Sequence, residues 1–187
     1  MDNNELIRAC EAVIFSSGEP ISIKRIAEVF ELSANKAENL IEQVREHIAS
    51  SNLGFELLIL DDSVQFATKQ IYAPSIKTAL AIKRKAPLSP AALEVLAVIA
   101  YNQPSTKAFV EQVRGVDCSG VISTLIEKEL IEERGRLELP GRPLLYGTTK
   151  NFLRCFSLSS LDDLPPLPEN DNNKNDVAEQ LEVRPDI

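Results

Sequence analysis

The 187-residue sequence offers few side chains of the types that perform acid–base or nucleophilic chemistry. Its one histidine, His47, stands beside Glu46 on a helical face that the apolar pattern leaves in water, and no nucleophile is implied next to it. Asp61 and Asp62 form a carboxylate pair, but adjacent aspartates are typical of tight turns, where they hydrogen-bond the backbone. We therefore predict no catalytic residues and no enzymatic activity.

Glycines and cysteines can serve phosphate or metal binding, but their spacing here favours neither. Gly141 and Gly147 occur in Gly-Arg-Pro and Tyr-Gly-Thr-Thr segments, and neither a GxGxxG nor a GxxxxGK[ST] pattern is present. We interpret them as turn glycines followed by a helix cap. Cys10, Cys118 and Cys155 form no Cys-x-x-Cys pair, so we expect reduced, largely buried thiols. We predict no cofactor, no metal and no small-molecule substrate.

The composition is that of a soluble globular protein. Hydrophobic residues make up 44% and charged residues 26% of the sequence. The longest mostly apolar run, residues 93–101, contains Glu94 and is too short to span a bilayer. Met1 is followed by acidic and amide residues where a signal peptide would have bases. These features predict a cytoplasmic protein with no membrane partner.

The pattern over residues 1–82 predicts a first domain of three helices and then a hairpin. The signals, in order, are a first helix ended by Gly18 and Pro20, a helix capped by Ser22, a helix capped by Ser33, two alternating strands around residues 61–63, and a short closing helix near residues 72–80. Three helices followed by a hairpin is the order of a winged helix-turn-helix domain.

Residues 83–87 are expected to be a linker, and residues 88–167 repeat the same order. The signals are helix caps at Ser89, Thr106 and Thr149, a third helix over residues 118–128, and wing strands over residues 130–134 and 144–146. Residues 168–187 are predicted to be a disordered acidic tail. The expected fold class is α+β, mainly α, with two tandem winged helix-turn-helix domains that carry small β-hairpin wings.

The charges argue against tight DNA binding by the first domain. The net charge is −5 over residues 1–80, +3 over residues 81–157 and −6 over residues 158–187. Helix-turn-helix proteins read DNA with the third helix and neutralise phosphates with Lys and Arg. The first such helix instead exposes Glu38, Glu42 and Glu46. We expect at most weak direct DNA binding.

The second domain leaves an alternative open. Its candidate DNA-contacting bases are Arg134, Arg136 and Arg142 of the wing, together with Lys83, Arg84 and Lys85 of the linker before it. The wing arginines could touch phosphates, or they could brace the turn and pair with neighbouring glutamates. The alternative function is therefore a winged-helix DNA-binding transcriptional regulator.

Several segments resemble the bacterial segregation and condensation protein B family. They are LSPAALEVLAVIAYNQP at residues 88–104, RGVD at 114–117, GR at 135–136, PGRPLLYGTT at 140–149, FL at 152–153 and LPPL at 164–167, with a looser likeness at residues 13–15 and 18–21. Three departures stand out: Lys107 replaces the usual arginine, Lys128-Glu129 replaces arginine-glycine, and Ser157 replaces glycine. They affect individual contacts more than the fold.

The resemblance implies a function as well as a fold. Members of the family dimerise through the first domain and bind the kleisin subunit, segregation and condensation protein A. Through it they join the SMC ATPase that organises and segregates the chromosome, which implies a cytoplasmic protein associated with the nucleoid. We predict that Tyr101, Arg114, Arg142 and Tyr146 bind the partner; the alternative for each is internal bracing of helix ends and wing. The expected function is a non-catalytic, homodimeric adaptor.

Overall fold

The computed structural model describes residues 1–81 and 87–167. The chain divides into two units, Met1–Arg84 and Lys85–Ile187. The predicted tail, residues 168–187, and most of the predicted linker lie outside the described residues.

The first unit contains four α-helices and a three-stranded sheet within its described residues. In chain order they are α1 (Asn3–Ser17), β1 (Ile21–Ser22), α2 (Ile23–Val29), α3 (Ala34–Ser50), β2 (Phe55–Leu60), β3 (Ser63–Thr68), a 3-10 turn (Gln70–Tyr72) and α4 (Ala73–Ala79). The sheet order is β1-β3-β2, and both pairings are antiparallel. This is the winged helix-turn-helix order that the sequence predicts.

Local signals explain where these helices begin and end. Asp2 accepts a hydrogen bond from the Glu5 backbone amide at 2.8 Å and forms a capping box that starts α1. Gly18 ends that helix in the left-handed region, with φ of 66°, where a glycine meets no Cβ penalty. Ser22 caps α2 as predicted, accepting from the Arg25 amide at 3.1 Å. Ser33 is the N-cap residue of α3, as predicted, with an extended backbone, but its side chain makes no capping hydrogen bond.

The core of the first unit lies between α1, α2, α3 and one face of the sheet. All five residues predicted for the inner face of α3 are buried: Ala37, Leu40, Ile41, Val44 and Ile48. Leu40, Ile41, Val44 and Ile48 pack in one cluster with Cys10 and Ile14 of α1, Ile26 of α2 and Val64 of β3. The i, i+3, i+4, i+7 spacing of these residues therefore does place one apolar face inward.

The end of the first unit differs from the prediction. The helix expected near residues 72–80 exists as α4, but neither it nor the preceding 3-10 turn contains a buried residue. It therefore does not close the core. The strand β1 was not predicted, since a two-residue strand is too short to show a period of two.

The second unit repeats this architecture, and it too has a helix after its wing. Its elements are α5 (Pro90–Asn102), β4 (Ser105–Thr106), α6 (Lys107–Arg114), α7 (Ser119–Glu127), β5 (Ile131–Arg136), β6 (Leu144–Thr148), α8 (Lys150–Phe156) and a 3-10 turn (Leu161–Asp163). The sheet order is β4-β6-β5. Ser89, Thr106 and Thr149 each cap the helix that follows, as predicted.

The core of the second unit is built mainly by α5, α7 and α8. Its most deeply buried large side chains are Val95, Leu96, Ile99, Leu125, Ile131 and Phe152. Phe152 and Phe156 of α8 pack with ring centroids 4.8 Å apart. The wing strands extend further than predicted, and a β-bulge between Glu133 and Gly135 shifts their register.

Candidate partner-binding surfaces

The helices that would read DNA in a winged-helix protein carry little positive charge. On α3, Glu38 and Glu46 are exposed, and Glu42 pairs with Arg45 at 2.8 Å. On α7, which lacks Lys and Arg, the exposed Ser123 hydroxyl donates to the Ser119 carbonyl at 3.1 Å. Neither helix presents a row of cations to a phosphate backbone.

The arginines of the second wing hold the wing together. Arg134 donates to the Thr148 carbonyl at 2.7 Å and pairs with Glu132 at 3.1 Å. Arg136 donates to the Arg142 carbonyl at 3.2 Å. These contacts brace the wing internally, which was the predicted alternative to contact between the wing arginines and DNA phosphates.

Tyr101, the first of the predicted partner-binding residues, lies in the last turn of α5, and its hydroxyl forms a hydrogen bond within the second unit. The hydroxyl donates to the Pro165 carbonyl at 2.6 Å, and partial burial raises its pKa. The contact spans 64 positions in the sequence and fixes the segment after α8 on the body of the second unit. Tyr101 therefore has a structural role: it positions the segment after α8.

Arg114, the second predicted residue, links α6 to α5. Its guanidinium pairs with Glu94, donates to the Ala91 carbonyl at 3.3 Å, and is 17% exposed. Glu94 and Tyr101 are seven residues apart on α5, which places them on the same face with about 10 Å of helix rise between them. Arg114 thus contacts the N-terminal half of α5, whereas Tyr101 lies at the C-terminal end of that helix.

The other two predicted residues belong to the wing. Arg142 is 65% exposed and pairs with Glu138 at 2.6 Å. Tyr146 is 8% exposed and lies opposite Ser105 and Glu133 in the sheet. The four residues therefore occupy the helix ends and the wing of one unit, and only Arg142 offers most of its side chain to a partner.

A polar network around β6 was not predicted from the sequence. The Gln103 side chain accepts from the Thr148 amide at 2.7 Å and donates to the Thr148 hydroxyl at 3.0 Å. A Cβ on Gly147 would stand 2.9 Å from Gln103 Oε1 and 2.9 Å from Arg134 Cγ. These contacts join residues 45 positions apart, so a local sequence pattern carries no sign of them.

A second network occupies the turn between α6 and α7. Lys107 contacts the Ser119 hydroxyl and lies 3.4 Å from Glu111 and 3.5 Å from Asp117. The hydrogen bond with Glu111 raises the pKa of Lys107, and the hydrogen bond from Ser119 lowers the pKa of Asp117. Glu111 also accepts from the Cys118 amide at 3.0 Å. A lysine serves here because its ammonium can donate to several acceptors at once.

The side chains whose types could perform acid–base chemistry have structural roles in this protein. His47 Nδ1 lies 2.6 Å from Glu11 Oε1 on the surface, a pairing that the sequence analysis missed. Asp61 and Asp62 form the two-residue hairpin turn, and the Asp62 carbonyl accepts from the Ile23 amide at 2.8 Å. The Asp62 side chain accepts from the Ser63 hydroxyl at 2.9 Å. The turn predicted for this carboxylate pair is confirmed.

The three cysteines are free and buried, as predicted. Burial raises the pKa of the Cys10 thiol to about 12 and also raises that of Cys118. Within residues 1–81 and 87–167, no three His, Cys, Asp or Glu side chains come together as a possible metal site. Every helix in those ranges is too short or too polar to cross a bilayer.

Known proteins resemble this chain over nearly its whole length. Residues 8–167 match the family described as segregation and condensation complex subunit ScpB. Segregation and condensation protein B of Alkaliphilus oremlandii is 44% identical over 165 residues, which cover 88% of this chain and 89% of that protein. The protein of the same name from Agathobacter rectalis is 40% identical, with 96% and 97% covered.

A solved structure also matches part of the chain. It is a crystal structure of a dimer of the ScpB N-terminal domain complexed with ScpA peptide, 28% identical, covering 41% of this chain and 95% of that chain with a TM-score of 0.39. The family match takes in both winged-helix units, and the two full-length relatives are well above 30% identity. The chain therefore belongs to the ScpB family of segregation and condensation complex subunits.

Proposed function

We propose that this chain is a non-catalytic adaptor of the bacterial SMC complex, which binds the kleisin subunit, segregation and condensation protein A, as a homodimer. In this role it supports chromosome condensation and segregation during cell division, in the cytoplasm at the nucleoid. The observation that carries the proposal is the family match over residues 8–167, because that range includes both winged-helix units.

The charge on the helices supports an adaptor over a DNA reader. A phosphate backbone would meet Glu38, Glu42 and Glu46 on α3, and it would meet hydroxyls on α7. Like charge repels DNA, whereas a protein partner can supply complementary groups. Protein binding is therefore the use of this fold that the described surfaces favour.

The second unit is the proposed kleisin-binding part. It follows Lys83, Arg84 and Lys85, the three bases that give residues 81–157 their net charge of +3. We assign Tyr101, Arg114, Arg142 and Tyr146 to this region: Arg142 contacts the partner directly, and the other three fix the helix ends and the wing. The support for these roles is the 65% exposure of Arg142 and the internal contacts of Tyr101 and Arg114.

Co-purification of the full chain with the kleisin subunit of the same organism tests the proposal. We expect a stable complex, and Arg142→Gln should weaken it about tenfold, the effect of losing about 1.4 kcal/mol at one contact. Arg154→Gln is the matched control, because Arg154 is an exposed base of the same unit that contacts Asn151 on its own helix. Absence of any complex would overturn the adaptor proposal; equal loss with both variants would overturn the role of Arg142.

A further inference from the structure

The second helix of the second unit, α6, has one side that its own unit leaves uncovered. We term its four exposed residues the α6 face; they are Ala108, Phe109, Gln112 and Val113. Phe109 is 37% exposed and Val113 is 43% exposed, and their spacing by four makes them neighbours on the helix surface. Val116, two residues after the helix, is 55% exposed as well. The exposed side of α6 is therefore mainly apolar.

The charged residues of α6 lie outside this face. The helix has three of them, Lys107, Glu111 and Arg114, and none is among its four exposed residues. Lys107 lies 3.4 Å from Glu111, and Arg114 pairs with Glu94 on α5. Because each charge of the helix is already engaged in an ion pair, a partner on the α6 face meets no charge. Such a surface offers nothing to a DNA phosphate.

The first unit contains the equivalent helix, α2, and provides an internal comparison. Ser22 caps α2 by accepting from the Arg25 amide at 3.1 Å, and Thr106 caps α6 by accepting from the Phe109 amide at 3.2 Å. Each cap thus bonds the third residue of its helix. Arg25 and Phe109 therefore occupy the same position of the repeated fold.

In α2 this position carries an exposed ion pair instead of an aromatic ring. Arg25 pairs with Glu28 at 3.1 Å, and both side chains are more than half exposed. The residues of α6 at these two positions are Phe109 and Gln112. Since one winged-helix unit forms with a charged pair here, the fold itself does not require Phe109. Adjacent apolar side chains that the fold leaves exposed are typical of a binding surface.

The α6 face begins beside the wing of the same unit. Thr106 ends β4 and caps α6, and it lies opposite Leu145 on the wing strand β6. Arg142, the proposed contact residue of the wing, precedes β6 by two positions. Four exposed residues bury far less than the roughly 1,200 Å² of a stable protein complex. The face is therefore suited to be one part of a larger interface that includes the wing.

We propose that the α6 face binds the apolar side of an amphipathic helix contributed by the kleisin partner. The inference rests on the function proposed above and adds the chemistry of one contact, which is uncharged and has Phe109 as its anchor. Side chains spaced by three and four form a ridge that packs into the groove of another helix. An amphipathic helix presents its apolar residues at this same spacing.

Titration of the full chain with the kleisin subunit of the same organism tests the face. The double variant Phe109→Arg with Gln112→Glu copies the charged pair of α2 onto α6, and it should weaken binding at least tenfold, as loss of an anchor does. Ile126→Arg is the matched control, because Ile126 is also 37% exposed but lies on α7. It should bind within about twofold of the wild type, and circular dichroism should show that both variants melt with the wild type.

Salt dependence tests the absence of charge from this contact. Phe109→Ala should weaken binding by the same factor at about 0.1 M and about 1 M salt, because screening does not act on an apolar contact. The loss from Arg142→Gln should shrink at the higher salt, where charges are screened within about 3 Å. A loss from Phe109→Ala that shrinks with salt in the same way would contradict an uncharged contact.

The outcomes separate this inference from the adaptor function. A wild type that does not bind the kleisin contradicts both. A wild type that binds, with the double variant equally tight, overturns the α6 face alone. Equal losses from the double variant and from Ile126→Arg also overturn it, since they would show no preference for α6. A double variant that binds the kleisin normally but has a lower mass by light scattering would assign the face to a second copy of the chain.

Discussion

Arg114 on α6 forms an ion pair with Glu94 on α5, and the pair holds the first two helices of the second helix-turn-helix together. The guanidinium also donates to the Ala91 carbonyl at 3.3 Å, so one side chain satisfies a carboxylate and a backbone oxygen. Because Arg114 is only 17% exposed, water competes weakly for these contacts. A residue predicted from the sequence as a partner contact thus also has a structural role.

Replacing Arg114 should lower the stability of the second unit. We expect Arg114→Ala to cost about 1–2 kcal/mol, since it removes a partly buried charge pair and leaves the Glu94 carboxylate without this cation. Arg45→Ala is the control, because Arg45 and Glu42 form an exposed pair of small expected value. Urea unfolding of both variants measures the difference, and equal midpoints would contradict it.

The glycine at position 147 should resist substitution. A Cβ there would meet Arg134 Cγ and Gln103 Oε1 at 2.9 Å, so Gly147→Ala forces β6 or both side chains to shift. Overpacking of this kind costs about 1–3 kcal/mol. Gly120→Ala on α7 is the matched control, because its Cβ meets nothing within 4 Å and alanine favours helix.

Thermal unfolding distinguishes the two glycine variants. Gly147→Ala should melt several degrees below the wild type, and Gly120→Ala should melt at or above it. A melting temperature for Gly147→Ala equal to that of the wild type would show that Gln103 and Arg134 move aside at no cost.

The helices could be predicted from the sequence because their signals are local. Capping residues such as Ser22 and Thr149 directly precede apolar residues at helical spacing. The cap bonds the backbone of the first turn, and the apolar residues recur every turn, so both signals are local in the sequence. The helix near residues 72–80 was predicted to close the first unit, but none of the residues of α4 is buried. The sequence of a short helix can predict that the helix forms, but it does not identify the surface against which the helix packs.

The contacts of the candidate site could not be predicted, because they join distant parts of the chain. Tyr101 meets Pro165 across 64 positions, and Gln103 meets Thr148 across 45. The strand β4, which brings Ser105 opposite Tyr146, has only two residues and no visible period. The family resemblance identified the candidate residues of the site, but the groups that they contact depend on tertiary structure.

The thiol of Cys10 should make stability depend on pH in the alkaline range. Its pKa is raised by burial, and secondarily by Glu11, from 9.0 to about 12 in the folded chain. The unfolded chain therefore ionises at lower pH than the folded chain, so stability is intact below pH 9 and falls as the pH rises towards 12. The loss should approach about 1.4 kcal/mol for each pH unit in that window.

Comparison with Cys10→Ala isolates this effect. The variant should be less stable than the wild type at pH 8, because it leaves a small cavity, but the gap should narrow between pH 9 and pH 11. Urea midpoints across the series measure it. A gap that stays constant with pH would show that the Cys10 thiol ionises equally well in the folded chain.

Binding to duplex DNA should be weak and should respond to the charge of α3. The full chain should show no sub-micromolar affinity at physiological salt, because Glu42 and Glu46 would repel the phosphates. Replacing both with Lys should raise the affinity and steepen its salt dependence if α3 approaches DNA as in a DNA-reading winged helix. Fluorescence anisotropy across a salt series measures both quantities. Sub-micromolar wild-type binding with a steep salt slope would favour the transcriptional-regulator alternative, in which bases such as those of the second wing supply the phosphate contacts.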